Sequence, residues 1–139
     1  MKIRLANEFD YPALRGIYLV SRRNSFEWAN KEDMSLGDFD THTGGESILV
    51  AEEDHHILGF TSLYLPDNFI HLLFVHPDCS GKGVGTRLLR AAAETMNTPL
   101  TLKCVSENHQ AMKFYENQGW KKVVEEGTPQ EKYWVMVYE

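Results

Sequence analysis

An α+β fold is the class this sequence predicts: one mixed sheet of about seven strands with helices on both faces. Three observations carry that prediction. The elements read in the order β α (loop) β β β α β α β β along 139 residues. The strand–helix–strand unit in the middle requires a right-handed parallel crossover. Hairpin-like pairs on either side require antiparallel neighbours, so the sheet is mixed.

Each element has a local reason. KIRLA (2–6) alternates and can open the sheet. Asp10 is a helix N-cap with Pro12 in the first turn, and Leu14, Ile17, Tyr18 and Ser21 then recur at helical spacing. Residues 26–45 carry little period and end in Gly44-Gly45, which reads as a long loop holding a helical turn or two. SILVAEED (47–54) and ILGFTSLYL (57–65) flank a short turn at Asp54-His55-His56 and form a hairpin. FIHLLFV (69–75) is strongly apolar, as a central strand should be.

A helix over 84–96 puts Val84, Leu88, Ala92 and Met96 on one stripe. LTLKCV (100–105) is a strand. Asn108 caps a helix running through Gln118, with Gly119 just past its end. WKKVVEE (120–126) and KYWVMVY (132–138) close the sheet. No internal repeat, low-complexity tract or linker interrupts this order.

Composition narrows the function. A 42% hydrophobic chain of this length is expected to build one domain over residues 1–139, without room for a separate cofactor domain. No apolar run approaches the ~18 residues of a membrane span, and MKIRLANEFD has no signal-peptide core, so a cytoplasmic chain without membrane contact is expected. Cys79 and Cys104 are the two cysteines, and free thiols are the simplest reading. The six histidines share no ligand spacing with cysteine or aspartate, so no metal is expected. A net charge of −6 argues against nucleic acid as a partner. The charge is uneven: residues 26–54 hold nine acids and one base, whereas residues 79–90 hold Lys82, Arg87 and Arg90 and no acid.

That basic stretch includes a glycine loop, "HPDCSGKGVGTRLL" (76–89), which leaves an apolar strand and opens a helix. The N–H groups at a helix start lack partners and lie at the positive end of the macrodipole. Gly81, Gly83 and Gly85 remove side chains that would hold an anion away, and Lys82 and Arg87 add charge. The physics describes an anion cradle; a strand-to-helix turn with glycines for packing is the other reading. Two phosphate motifs fail. A Walker A loop needs Gly at His76 and Ser or Thr at Gly83, and the dinucleotide fingerprint needs Gly or Ala at Thr86 or Leu88.

The loop resembles the acyl-CoA site of the GNAT superfamily of N-acetyltransferases. There a central strand ending in V-x-P runs into Q/R-x-x-G-x-G/A, as in "LFVHPDCSGKGVGTRLL". A second block of that family, N-x-x-A-x-x-F-Y-x-x-x-G-F/W, matches "NHQAMKFYENQGW" at Asn108, Ala111, Phe114, Tyr115, Gly119 and Trp120. Block spacing and element order agree over essentially the whole chain, 26–45 excepted.

The resemblance implies roles. The N–H groups of Ser80, Gly81, Lys82, Gly83, Val84, Gly85 and Thr86 would hold the pyrophosphate of acetyl-CoA. The backbone of Leu73, Phe74 and Val75 would pair with the pantetheine arm, which requires strand 69–75 to splay from strand 100–105. An N–H near Val75 would polarise the thioester carbonyl. Asn108 would touch the CoA arm, and Tyr115 would protonate the departing thiolate. Ser80 stands where the family pattern has Gln or Arg, which removes a long polar side chain but no N–H group. Family members are often dimers, so a homodimer is implied by analogy.

The base and the acceptor must come from elsewhere. Strand alternation sets Phe69, His71, Leu73 and Val75 on one face, and His71 is the member able to relay a proton at neutral pH. In "SFEWANKEDMSLGDFD" (25–40), Phe26, Trp28 and Phe39 offer apolar walls, and acids including Asp38 offer charge to a cationic amine, on a small molecule or a peptide. A solvated acidic loop with aromatics plugging the core is the competing reading. The expected function is N-acetyl transfer from acetyl-CoA to a primary amine in a ternary complex. The alternative is a catalytically weak acyl-CoA-binding module of the same fold.

Overall fold

The computed structural model describes residues 1–25 and 33–139. In chain order the elements are β1 (Lys2–Leu5), a 3-10 turn at Glu8–Asp10, α1 (Tyr11–Ser25), α2 (Asp38–Thr43), β2 (Ser47–Glu53), β3 (His56–Tyr64), β4 (Phe69–Val75), α3 (Val84–Thr95), β5 (Leu100–Val105), α4 (His109–Asn117), β6 (Lys121–Thr128) and β7 (Glu131–Tyr138). The seven strands form one mixed sheet in the order β1-β2-β3-β4-β5-β7-β6. The pairing of β4 with β5 is parallel and the other pairings are antiparallel. The α+β class, the strand count and the central parallel crossover therefore match the expectation from sequence. No helix among the described residues is long and apolar enough to cross a membrane.

The sheet has apolar side chains on both faces. Leu14, Ile17 and Tyr18 of α1 and Phe39 of α2 bury against Ile48, Val50 and Phe60. On the other face Val84, Leu88 and Ala92 of α3 and Met96 at its C-cap bury against Leu49, Ala51, Leu63, Ile70 and Leu102, joined by Met112 of α4. The helical stripes read from sequence are thus the buried faces of α1 and α3.

Three local readings change. Asp10 lies in the 3-10 turn rather than simply capping α1. Asn7 caps that turn, its own N–H donates to the Asp10 carboxylate at 2.8 Å, and Asp10 accepts two further bonds from the Arg4 guanidinium at 2.8 and 2.9 Å. A short-range cap has become a tie between α1 and β1. The β2–β3 turn is tighter than read, with Asp54 and His55 both at positive φ, as a two-residue turn demands.

The third change is in β4. Ser62 pairs with Leu72 but Leu63 pairs with Ile70, so His71 is an extra residue opposite no partner, a β-bulge. Leu73 and Val75 pack with the α3 cluster, Leu72 and Phe74 with the α1 cluster, and His71 leaves the face that strict alternation assigned to it.

Candidate active site

The site begins where β4 and β5 part. Their pairing is confined to Phe69 with Thr101 and Ile70 with Leu102, although β4 runs on to Val75. The splay that acyl-CoA binding requires is therefore present, and it opens at the bulge. The His76 N–H bonds the Leu58 carbonyl on β3 at 2.8 Å. Backbone groups alternate along a strand, so those of Val75 and Leu73 face the gap. The Val75 carbonyl accepts a bond from Ser21 Oγ of α1 at 3.1 Å, which ties the end of β4 to α1 and leaves the Val75 N–H toward the gap.

Past β4 the chain makes a 3-10 turn at Pro77–Cys79 and then the glycine loop. Gly81 and Gly83 adopt φ of +81° and +78°, a left-handed conformation that side chains other than glycine resist. Gly83 is the N-cap of α3 and makes no side-chain cap. The Arg87 N–H reaches the Gly83 carbonyl at 3.1 Å, so the preceding N–H groups of Val84, Gly85 and Thr86 have no intrahelical partner. These groups fit an anionic phosphate. Ser80 contributes differently: its N–H and hydroxyl both turn back to the Pro77 carbonyl, at 3.4 and 3.0 Å. Lys82 is exposed. Arg87 reaches the Met1 carbonyl at 3.1 Å, so its charge is held beside the chain start.

Helix α4 supplies the other wall. Asn108 Oδ1 accepts the Ala111 N–H at 3.1 Å, which is the cap read from sequence and leaves the side-chain amide N–H groups uncommitted. Phe114 packs so closely on the start of α3 that a methyl group at Gly85 would sit 3.4 Å from its ring. Gln118 adds a bond to Thr86 at 3.4 Å. Between these anchors Tyr115 lies on the cluster that contains Cys104 of β5, across the gap from β4. Its ring meets Phe114 at 5.4 Å and Trp120 at 6.2 Å. The ring keeps some exposed surface, yet burial dominates the phenol and pushes its pKa well above 10, with Cys104 raising it further. The Cys104 thiol is pushed up to about 11, chiefly by burial.

On the α1 face the bulge sends His71 to Glu46. His71 Nδ1 lies 2.8 and 3.0 Å from the two Glu46 oxygens, and Ser62 Oγ also bonds Glu46. Sequence reading missed Glu46 and Ser62 because their link to His71 depends on the bulge. It also missed Gly59, where a methyl group would meet the Phe74 carbonyl at 2.7 Å. A glycine inside a strand pattern is a usable signal for such an approach.

Two acids of the acidic segment, Asp38 and Asp40, are paired with arginines of α1. Arg22 donates to Asp38 at 3.1 Å and stacks on Tyr18 at 3.9 Å, and Ser35 bonds Asp38 through both N–H and hydroxyl. The Ser35 N–H, more than Arg22, holds the Asp38 carboxyl below the usual range. Arg15 pairs with Asp40 at 2.8 Å. Phe26 and Trp28 lie outside the described residues.

A mixed sheet forked at its parallel pair, with a glycine-opened helix beside the fork, defines an acyltransferase fold. The chain belongs to the Acetyltransferase (GNAT) family, which matches residues 11–120. It is 29% identical to an uncharacterised N-acetyltransferase, YhfO, of Bacillus subtilis, over 87% of this chain and 90% of that one. Its fold is that of a GCN5-related N-acetyltransferase from Rhodopseudomonas palustris (TM-score 0.79, 24% identity, 98% of this chain and 93% of that one). The same holds for yncA from Salmonella typhimurium, solved with its cofactor acetyl-CoA (TM-score 0.74, 20% identity, 100% and 93%). N-acetyl transfer is the general activity of this family.

Proposed function

We propose that the chain moves an acetyl group from acetyl-CoA directly to a primary amine within a ternary complex. The parting of β4 from β5 after Ile70 carries this reading, because it presents strand backbone to a gap instead of to a neighbouring strand. In this reading the backbone of Leu73 and Val75 binds the pantetheine arm, that of Phe74 being turned to Phe60 of β3 instead of to the gap, and the Val75 N–H polarises the thioester carbonyl. The loop from Ser80 to Thr86 holds the pyrophosphate, chiefly through the N–H groups beyond Gly83. Asn108 steers the arm with its amide.

Tyr115 gives its proton to the thiolate as the acetyl group leaves. Its raised pKa keeps that proton in place at neutral pH. The same dry surroundings raise the basicity of a thiolate, so donor and acceptor stay closer in pKa than their values in water suggest. His71 takes a proton from the acceptor, from its ammonium before attack or from the amine nitrogen as the bond to the acetyl carbon forms. The acceptor is a cationic amine. Asp38 serves it indirectly, by holding Ser35 and Arg22 in place.

Release of CoA, followed by chromatography across a panel of monoamines, diamines, lysine and short peptides, tests the proposal. Wild-type protein should turn over at least one amine. Tyr115→Phe should lower kcat by about 10²- to 10⁴-fold while acetyl-CoA affinity stays within a few-fold. Acetyl-CoA binding without turnover of any amine would identify a binding module. No acetyl-CoA binding would overturn the whole reading.

A further inference from the structure

We propose that Glu46 is a positioning residue for His71, holding it as the tautomer with its proton on Nδ1 and its lone pair on Nε2. The inference deepens the base role proposed for His71 and rests on it. An ionised carboxylate only accepts hydrogen bonds. Both Glu46 oxygens lie within 3.0 Å of His71 Nδ1, so Nδ1 is the donor and Nε2 is the nitrogen that can take a proton. The Ser62 hydroxyl, on a fully buried residue, donates to Oε1 and fixes the carboxylate in turn. The Glu46 side chain is 10% exposed and that of His71 36%, so the acid stands behind the imidazole and the imidazole faces outward. The ring of Phe69 stacks on His71 at 6.2 Å and 26°, a second restraint on the ring plane.

Placement supports the same assignment. The last β4–β5 pair is Ile70 with Leu102, so His71 is the first residue past the fork. The bulge turns it toward Glu46, just ahead of β2, and Ser62 of β3 faces the same side as Leu72 and Ile48. Ser62 of β3, Glu46 and His71 of β4 thus form one hydrogen-bonded chain that ends on an imidazole one residue past the last β4–β5 pair. When His71 takes a proton from the amine on Nε2, the Glu46 carboxylate stabilises the imidazolium. This is the role a carboxylate plays behind a catalytic histidine in other enzymes.

The test uses the full chain, nitrogen-15 NMR of the His71 side chain, and steady-state kinetics on an amine that wild-type protein turns over. His71→Ala assigns the resonances. Wild-type neutral His71 should show a protonated Nδ1 and an unprotonated Nε2. Glu46→Ala, which removes the acceptor altogether, should shift it toward the Nε2-protonated form and lower kcat by about 10²- to 10⁴-fold, with acetyl-CoA affinity unchanged. Glu46→Asp should restore part of both. In a His71→Ala background, Glu46→Ala should cost no further activity.

An unchanged tautomer in Glu46→Ala, whatever happens to rate or melting temperature, overturns the proposal. So does an undiminished effect of Glu46→Ala when His71 is absent. If His71→Ala alone keeps full activity, the base role fails and the positioning role fails with it. If no amine is turned over, the proposed function fails, and the tautomer measurement still judges the Glu46–His71 link.

Discussion

Gly59→Ala probes the junction of fold and site. The added methyl group would lie 2.7 Å from the Phe74 carbonyl oxygen, 3.1 Å from Val75 Cα and 3.2 Å from Val84 Cγ1. Non-bonded carbons prefer about 3.5–4.0 Å, so β3 must move from both β4 and the start of α3. Backbone atoms make two of the three contacts, so rotating a side chain cannot relieve them. Overpacking of this kind costs about 1–3 kcal/mol. Replacing glycine stiffens the unfolded chain, which opposes that loss by about 0.4–1 kcal/mol. A net destabilisation of about 1–2 kcal/mol follows, or a fall in Tm of about 3–10 °C at this chain length.

Urea denaturation measures the change, with Gly16→Ala in parallel. Gly16 lies inside α1 with nothing within 4 Å of its would-be methyl group, so that variant should gain about 0.5–1 kcal/mol. Because β4 borders the gap, Gly59→Ala should also weaken acetyl-CoA binding, and Gly16→Ala should not. A Gly59→Ala protein as stable as wild type would refute the close packing of β3, β4 and α3.

Three further outcomes are expected. Gly83→Ala forces a side chain into a left-handed cap, which should cost about 1–2 kcal/mol and weaken acetyl-CoA binding, as calorimetry and denaturation will show. Arg4, ahead of the Asn7 N–H, holds the Asp10 carboxyl below its ordinary value. The stability this adds is present above the unfolded pKa of about 3.9 and is lost as pH falls through the lower folded value. Asp10→Asn should therefore lose about 1–3 kcal/mol at pH 7, and the two stability curves should converge in acid. With the Cys104 thiol pushed up to about 11 and Cys79 half-buried, a thiol reagent at pH 8 should modify Cys79 first, and Cys104 only on unfolding, by mass spectrometry.

Much of the frame is visible in the chain. The stripe Val84, Leu88, Ala92 and Met96 is a buried helix face because 3.6-residue periodicity is a local property. Gly81 and Gly83 mark a left-handed turn for the same reason: the need for positive φ is met within a few residues. Order and spacing of the strands also sufficed to place one parallel crossover at the centre. The site resisted reading where it depends on partners far along the chain. Alternation grouped His71 with Leu73 and Val75, yet the register against Ser62 and Leu63 breaks that alternation. Asp38 looked like an acid for a cationic substrate, yet Arg22 and Ser35 hold it in place.

The sequence by itself determined the helices, the glycine cradle and the class of sheet, because backbone sterics and apolar period act over one or two turns. Tertiary structure decided the fork, the bulge and the link from Glu46 to His71. Those follow from which strand lies beside which and in what register. A shift of one residue there moves a side chain to the other face of the sheet, and it leaves no trace in local composition.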